Sequence, residues 1–278
     1  MPVKLDIAES VQQQGYNDLI APSAKPIGKT AGDLFELVEN VFGRPIAHLN
    51  MQLKAYWDKV DKDWKQEKKR IPEEKRIEPS FQVAQSTISA FQSAVDNDDL
   101  RALLIRILGS ASNSDMSNNV IPSYPAVLKR LSSDEIKLFI YFSNAPTLPF
   151  VSIFYEIIKD NKSIGHVLVE DLFSNFGLAA GCKRPDSVPI YVDNLVSARL
   201  ISIPEGEGYI DESVYSELEN SEHIQSLKAQ IEATPGRKIQ IIHKIIRLTS
   251  FGRGLGQACR INDLPEISDL TEQGSSQP

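Results

Sequence analysis

Two cysteines, Cys182 and Cys259, are the only thiols of this 278-residue chain, and they form no CxxC spacing. That argues against a disulfide framework and favours a reducing, cytosolic setting. Excess positive charge is also missing, since 30 Lys and Arg stand against 37 Asp and Glu, a net charge of −7. Wholesale coating of nucleic acid is therefore not expected, because non-specific affinity comes from cationic contacts to phosphate. No run of 18 residues is free of polar interruption, so no membrane span is expected. Met1–Ser10 holds no apolar run of the signal-peptide kind. The four histidines, His48, His166, His223 and His243, are scattered, with no second His or Cys at helical spacing. Zinc needs about four converging ligands, so neither a metal nor a cofactor is expected.

What is present is helical periodicity. Leu34, Val38, Val41, Phe42, Ile46, Leu49, Leu53, Tyr56, Val60 and Trp64 recur every three or four residues, which places them on one helical stripe. The stripe is long enough to serve both an internal core and a homodimer seam. Its far end, Asp58 to Arg70, intersperses charges of both signs, the pattern of a solvated helix. Further helices are expected around Val83, Ala84, Ile88, Phe91 and Val95, and around Leu100, Leu103, Leu104, Ile107 and Leu108. Two more are expected from Pro122 to Leu131 and behind a Ser132–Glu135 capping box.

Beyond Asn144 the pattern changes. Val151, Ile153, Tyr155 and Ile157 alternate as in a strand, His166–Val169 reads as another, and Asp171–Ala180 reads as helical. Tyr191–Ile203 reads as an amphipathic helix running into a short β-branched strand, and Ile246–Gly254 as the returning strand. A helix followed by two strands is how a winged-helix unit closes. The expected fold is accordingly mainly α with a small α+β part. A long helical hairpin or bundle occupies residues 1–143, and a winged-helix-like module occupies 144–262. That module carries an acidic insertion at about 204–236, and a disordered tail follows at 263–278. The insertion runs from Glu205 to Glu222 without a cation. Arg237 to Arg260 then runs without an acid.

Tests for chemistry nominate no catalytic residue. Ser23–Thr30 ends like a phosphate-binding loop but lacks its first glycine and contains Pro26. Gly252-Arg-Gly-Leu-Gly256 lacks the spacing and the downstream acid of a dinucleotide loop. Carboxylates read as solvated groups on polar helix faces. The basic segment reads mainly as a counterweight to the acidic insertion. Its functional reading places Asn194, Ser197 and Arg199 in a groove, with Lys244, Arg247 and Arg253 as the accompanying cations.

Several short motifs then fall in a recognisable order. Lys25–Leu34 and Asn50 are followed by Ile77-Glu-Pro79, Asn97–Leu104, Pro122-Ser-Tyr124, Leu131–Glu135, Asn194-Leu195, Leu200-Ile201 and Leu248-Thr-Ser-Phe-Gly252. Over about residues 20 to 260 this order resembles the abortive-infection alpha family of bacterial proteins. It departs at Ile121, where a His is expected, and at Ala198-Arg-Leu-Ile201, where a Gly-Leu-Ile run is expected. The resemblance implies a cytoplasmic role in defence against phage and brings no catalytic residues. The expected function is a non-enzymatic defence protein that binds a phage or host protein, with self-association through the long helix. A DNA-binding regulator and an enzyme with an unrecognised site are the alternatives.

Overall fold

The computed structural model describes residues 51–145 and 147–263. The apolar positions from Leu34 to Leu49, His48, the Ser23–Thr30 loop and the tail from residue 264 lie outside them. The chain divides into two compact units, Met1–Lys129 and Arg130–Pro278. Among the described residues, no helix is long and apolar enough to cross a membrane.

The described part of the first unit is mainly helical: α1 (Met51–Lys69), α2 (Phe81–Phe91), α3 (Asp98–Ala111) and α4 (Ser123–Leu128). Tyr56, Trp57, Val60 and Trp64 of α1 are buried within it. Burying such aromatic bodies removes 150–250 Å² each from water, so they dominate a small core. Tyr56 donates its hydroxyl to the Phe91 carbonyl at 2.7 Å, which satisfies the one polar atom the burial would strand. In the charged end of α1, Lys65 pairs with Asp61 at 2.6 Å and Arg70 with Glu67 at 3.4 Å. Asp61 and Glu67 are buried, however, so this end is not the fully solvated face its mixed charges suggest. Asn97 caps α3 by accepting from the Leu100 amide, and all five residues expected on that helix's apolar face are buried.

The second unit opens with α5 (Ser133–Asn144), whose Ser132–Glu135 capping box forms as its sequence implies. Next comes a hairpin, β1 (Thr147–Lys159) and β2 (Lys162–Phe173). Two short helices follow, α6 (Phe176–Ala179) and α7 (Val188–Ser197), and then β3 (Ile201–Ser202). The acidic stretch folds as a 3-10 turn at Glu212–Tyr215, α8 (Ser216–Glu219) and α9 (Glu222–Glu232). The chain returns as β4 (Arg237–Leu248) and ends in α10 (Ser250–Ala258).

This is an α+β fold, not a mainly α chain ending in a winged helix. The expected helix, strand and returning strand are present, since Ile201 pairs with Leu248 and Ser202 with Arg247. That pairing is only the rim of a four-stranded antiparallel sheet, ordered β2-β1-β4-β3 and curled into a half-barrel. The long partner of β4 is β1, paired from Thr147↔Arg247 to Ile157↔Arg237. A wing has no place for two central strands of 13 and 12 residues. The curl has a local cause. Between Val151↔Phe173 and Lys159↔Lys162, β2 spends three more residues than β1, with register shifts at three places. Each extra residue bends and twists the bulged strand.

The hairpin turn is Asp160-Asn161, with φ of 51° and 60°. Two consecutive positive φ values are what a tight type I′ turn requires, and Asp and Asn tolerate them better than other non-glycine residues. Asn161→Val should therefore lower stability by about 1–2 kcal/mol, whereas Asn161→Gly should match or exceed the parent. Urea unfolding of the three proteins is the check, and equal midpoints for all three would refute this account of the turn.

Candidate functional site

The sheet has two faces with different fates. On one, Val151 and Ile153 of β1 pack with Tyr215, Leu218 and Ile224 of the acidic stretch. Phe173, Tyr209, Leu227, Ile239 and Ile241 flank them. The stretch read as an insertion is thus the cover of this face of the sheet. Two histidine–carboxylate contacts fasten it in opposite senses. His243 of β4 meets Glu219 of α8 at 2.8 Å, and His223 of α9 meets Glu170 of β2 at 2.7 Å. Each ring also lies flat on an aromatic neighbour, His243 on Tyr215 at 4.0 Å and His223 on Phe173 at 5.1 Å.

The opposite face is buried at one end and open at the other. Phe150, Ile246 and Leu248 are nearly inaccessible, at 1–4% exposure. Further along, Phe154 pairs across the hairpin with Leu168, and Ile242 sits opposite Ser152, one alternation away on the same face. Leu168 is 50% and Ile242 37% exposed. Phe154 between them is half-buried. Around this patch stand Glu156, which pairs with His166 and Lys238, and Gln240, which pairs with Phe154. An apolar centre inside a polar rim is the anatomy of a protein-docking surface. The outer edge of β2 does not invite strand addition, because its three bulges interrupt the ladder that a new strand would need.

A polar node anchors the base of this face. Ser152, wholly buried, donates its hydroxyl to Asp171. The same carboxylate oxygen accepts the Leu172 amide at 2.9 Å, and Lys244 Nζ stands 3.5 Å away. Desolvation pushes the Asp171 carboxyl up. The Ser152 hydroxyl, the Lys244 charge and the Leu172 amide together outweigh it and hold the group below its usual range. Leu172 itself has φ 60°, so the node stabilises a strained bulge residue. Ser152 is wholly buried and its hydroxyl donates to a carboxylate held below the usual range, hence a weak base, so the trio ties β1, β2 and β4 together.

A second buried cluster lies at the start of α5. Asp134 and Glu135 are each only 6% exposed, which departs from the expectation that the carboxylates are solvated. Asp134 accepts the Lys183 and Arg184 amides at 2.9 and 3.0 Å and the Tyr191 hydroxyl at 3.2 Å. Burial pushes its carboxyl up, but the three hydrogen bonds prevail and keep it below the usual value. Glu135 accepts Asn194 Nδ2 at 2.6 Å. The nearby Cys182 thiol is pushed up to about 11, chiefly by burial and then by the Asp134 charge, which leaves it protonated and unreactive at neutral pH.

The six residues nominated from sequence are not gathered in one place. Asn194 is engaged with Glu135, and Ser197 lies exposed at the end of α7. Arg199, at φ 59°, presents its carbonyl to the Thr249 hydroxyl. Lys244 points toward Asp171 on the open face, while Arg247, three positions along the strand, projects from the other face. Arg247 there forms a two-pronged contact with Glu207 at 2.8 and 3.0 Å. Arg253 donates to the Leu248 carbonyl at 2.8 Å and to Ser250. The patch residues Phe154, Leu168 and Ile242 escaped the sequence reading. One signal for them existed: Phe150 and Phe154 make the even positions of β1 apolar too, so both faces of that strand need partners. Among the described residues, no group of three or more His, Cys, Asp or Glu is placed to hold a metal ion.

Comparison with known proteins adds one informative match. The family model described as abortive infection alpha matches residues 51–259. No curated protein matches the chain. One solved structure is similar, an uncharacterized protein from the hydrocarbon-degrading marine bacterium Alcanivorax borkumensis SK2. It is 16% identical, with 53% of this chain and 96% of that one covered and a TM-score of 0.29, a likeness that carries no argument.

Proposed function

Because the chain belongs to the abortive infection alpha family, we propose that it is a phage-defence factor that acts by docking a protein partner, without covalent chemistry. The open half of the sheet supports this reading. Leu168 at 50% and Ile242 at 37% exposure lie on strands either side of Phe154 and make an apolar patch inside a polar rim. Leaving large side chains of this kind in water is unfavourable by roughly 25 cal/mol per Å², so a partner that covers them gains that amount on contact. The polar groups at the base of the face are already engaged with one another and serve to hold its shape.

The test is the double substitution Leu168→Asn, Ile242→Asn in cells challenged with phage. Plaque counts should rise at least ten-fold toward the level of unprotected cells, with protein abundance and melting temperature unchanged. A folded double variant that protects as well as the parent removes this surface from the account. Loss of protection on replacing one buried polar residue, with turnover of a nucleotide or peptide by the purified parent, would instead point to chemistry.

A further inference from the structure

The tip of the β1–β2 hairpin carries a charge pattern at odds with the rest of this acidic chain. Lys159 and Lys162 pair across the turn, and Ile157 pairs on one side with Gly165 and on the other with Arg237. Lys238 follows Arg237 in the adjoining strand, and Gly236 accepts the Ile158 amide at 2.7 Å, which binds the start of β4 to the tip. Four exposed cations, Lys159, Lys162, Arg237 and Lys238, thus converge on one end of the sheet. Asp160 stands in the turn, and Glu156 faces Lys238 and His166 across the strands. The tip is also apolar. Ile164 is 61% and Ile157 36% exposed. Ile164 is one of the three extra residues of β2, so the bulge and not the core dictates where its side chain projects.

From this juxtaposition we infer that the hairpin tip binds the surface of an anionic lipid bilayer. Each basic residue close to an anionic membrane strengthens partitioning on the order of five-fold, and the exposed Ile157 and Ile164 that flank the two lysines enter the boundary between headgroups and acyl chains. A nucleic acid backbone would use the cations equally well but has no use for Ile164. The aromatic ring nearest the tip, Tyr155, is not open for base stacking, because the Arg237 guanidinium lies 4.7 Å over it. The tip adjoins the Phe154–Leu168–Ile242 patch and shares Glu156, His166 and Lys238 with its rim. The substitutions that test the two readings have no residue in common, so each can fail without the other.

The experiment is co-sedimentation of the full chain with vesicles of phosphatidylcholine mixed with phosphatidylglycerol, compared with vesicles of phosphatidylcholine alone. Binding is expected only to the anionic vesicles and should weaken as salt is raised. Lys159→Glu with Lys162→Glu should reduce it at least about twenty-fold, and Ile164→Ser should reduce it about five-fold without altering the melting temperature. The Leu168→Asn, Ile242→Asn protein should bind vesicles like the parent. No preference for anionic vesicles overturns the inference. So does binding that ignores Ile164→Ser while the chain binds duplex DNA equally well with the same lysine dependence; the tip is then a phosphate-backbone contact.

Discussion

Replacing Gly252 with alanine should cost the second unit at least about 3 kcal/mol, and replacing it with valine should leave little folded protein. The residue has an ordinary helical backbone, so conformational freedom is not the reason for the glycine. A Cβ there would lie 2.0 Å from the Leu200 carbonyl oxygen and 2.9 Å from its carbon. Both are backbone atoms held in place by neighbouring contacts. The Leu200 carbonyl accepts the Thr249 amide at 3.1 Å and the Thr249 hydroxyl at 3.3 Å, and that hydroxyl in turn accepts the Gly252 amide at 2.9 Å. Neither side can withdraw without breaking the cap of α10 and the end of the β3–β4 ladder. Gly181 supplies the contrast, because it has φ +67° and open space where its Cβ would stand. Gly181→Ala should cost only about 1 kcal/mol, from backbone strain. Urea midpoints of the two variants separate these mechanisms. A Gly252→Ala protein as stable as Gly181→Ala would refute the close approach.

The second large effect is expected at Asp134. Asp134→Ala leaves the Lys183 and Arg184 amides without their acceptor and the Tyr191 hydroxyl without its partner. Unsatisfied buried donors cost about 1–3 kcal/mol each. Lys183 and Arg184 are exposed and Tyr191 is half-buried, so water replaces part of the lost pairing and a loss of about 2 kcal/mol is expected. The sign of the pH dependence follows from the direction of the shift. The folded carboxyl lies below its usual value. Its contribution is therefore fully present above the unfolded pKa of about 3.9 and is lost as pH falls through the folded value. The stability difference between the parent and Asp134→Asn should be constant from pH 7 to about pH 5 and should narrow toward pH 2. Chemical unfolding at three pH values reads it directly. A difference that widens in acid would show that the carboxylate is not the stabilised form.

Both positions lie within motifs readable in the sequence, and for neither was the reason readable. Leu248-Thr-Ser-Phe-Gly252 was legible as a strand end, but the need for glycine comes from Leu200, 52 positions earlier in the chain. Ser132-Ser-Asp-Glu135 was legible as a capping box, and the box forms. The residue within it that does most for the tertiary structure, Asp134, looked like an ordinary first-turn acid. Its partners at residues 183, 184 and 191 could not be inferred from local pattern. The Asp160-Asn161 turn is a signal of another kind, a two-residue loop of the residue types that tolerate positive φ, which marks the two flanking strands as a hairpin.

The sequence alone determined whatever depends on residues a few positions apart. The buried helical stripe through Tyr56, Val60 and Trp64, the caps at Asn97 and Ser132, the alternation along β1 and the order of family motifs all belong to that class, because helix and strand periodicity are local properties. Only the tertiary structure decided how the strands assemble. The same alternating pattern fits a three-element wing and a half-barrel equally, and which strand lies beside β1 depends on a partner about 90 residues away. It also decided which side of the sheet the acidic stretch covers, and hence that Leu168 and Ile242 stay partly exposed beside a half-buried Phe154. Burial is a property of what arrives from elsewhere in the chain, and no local pattern contains it.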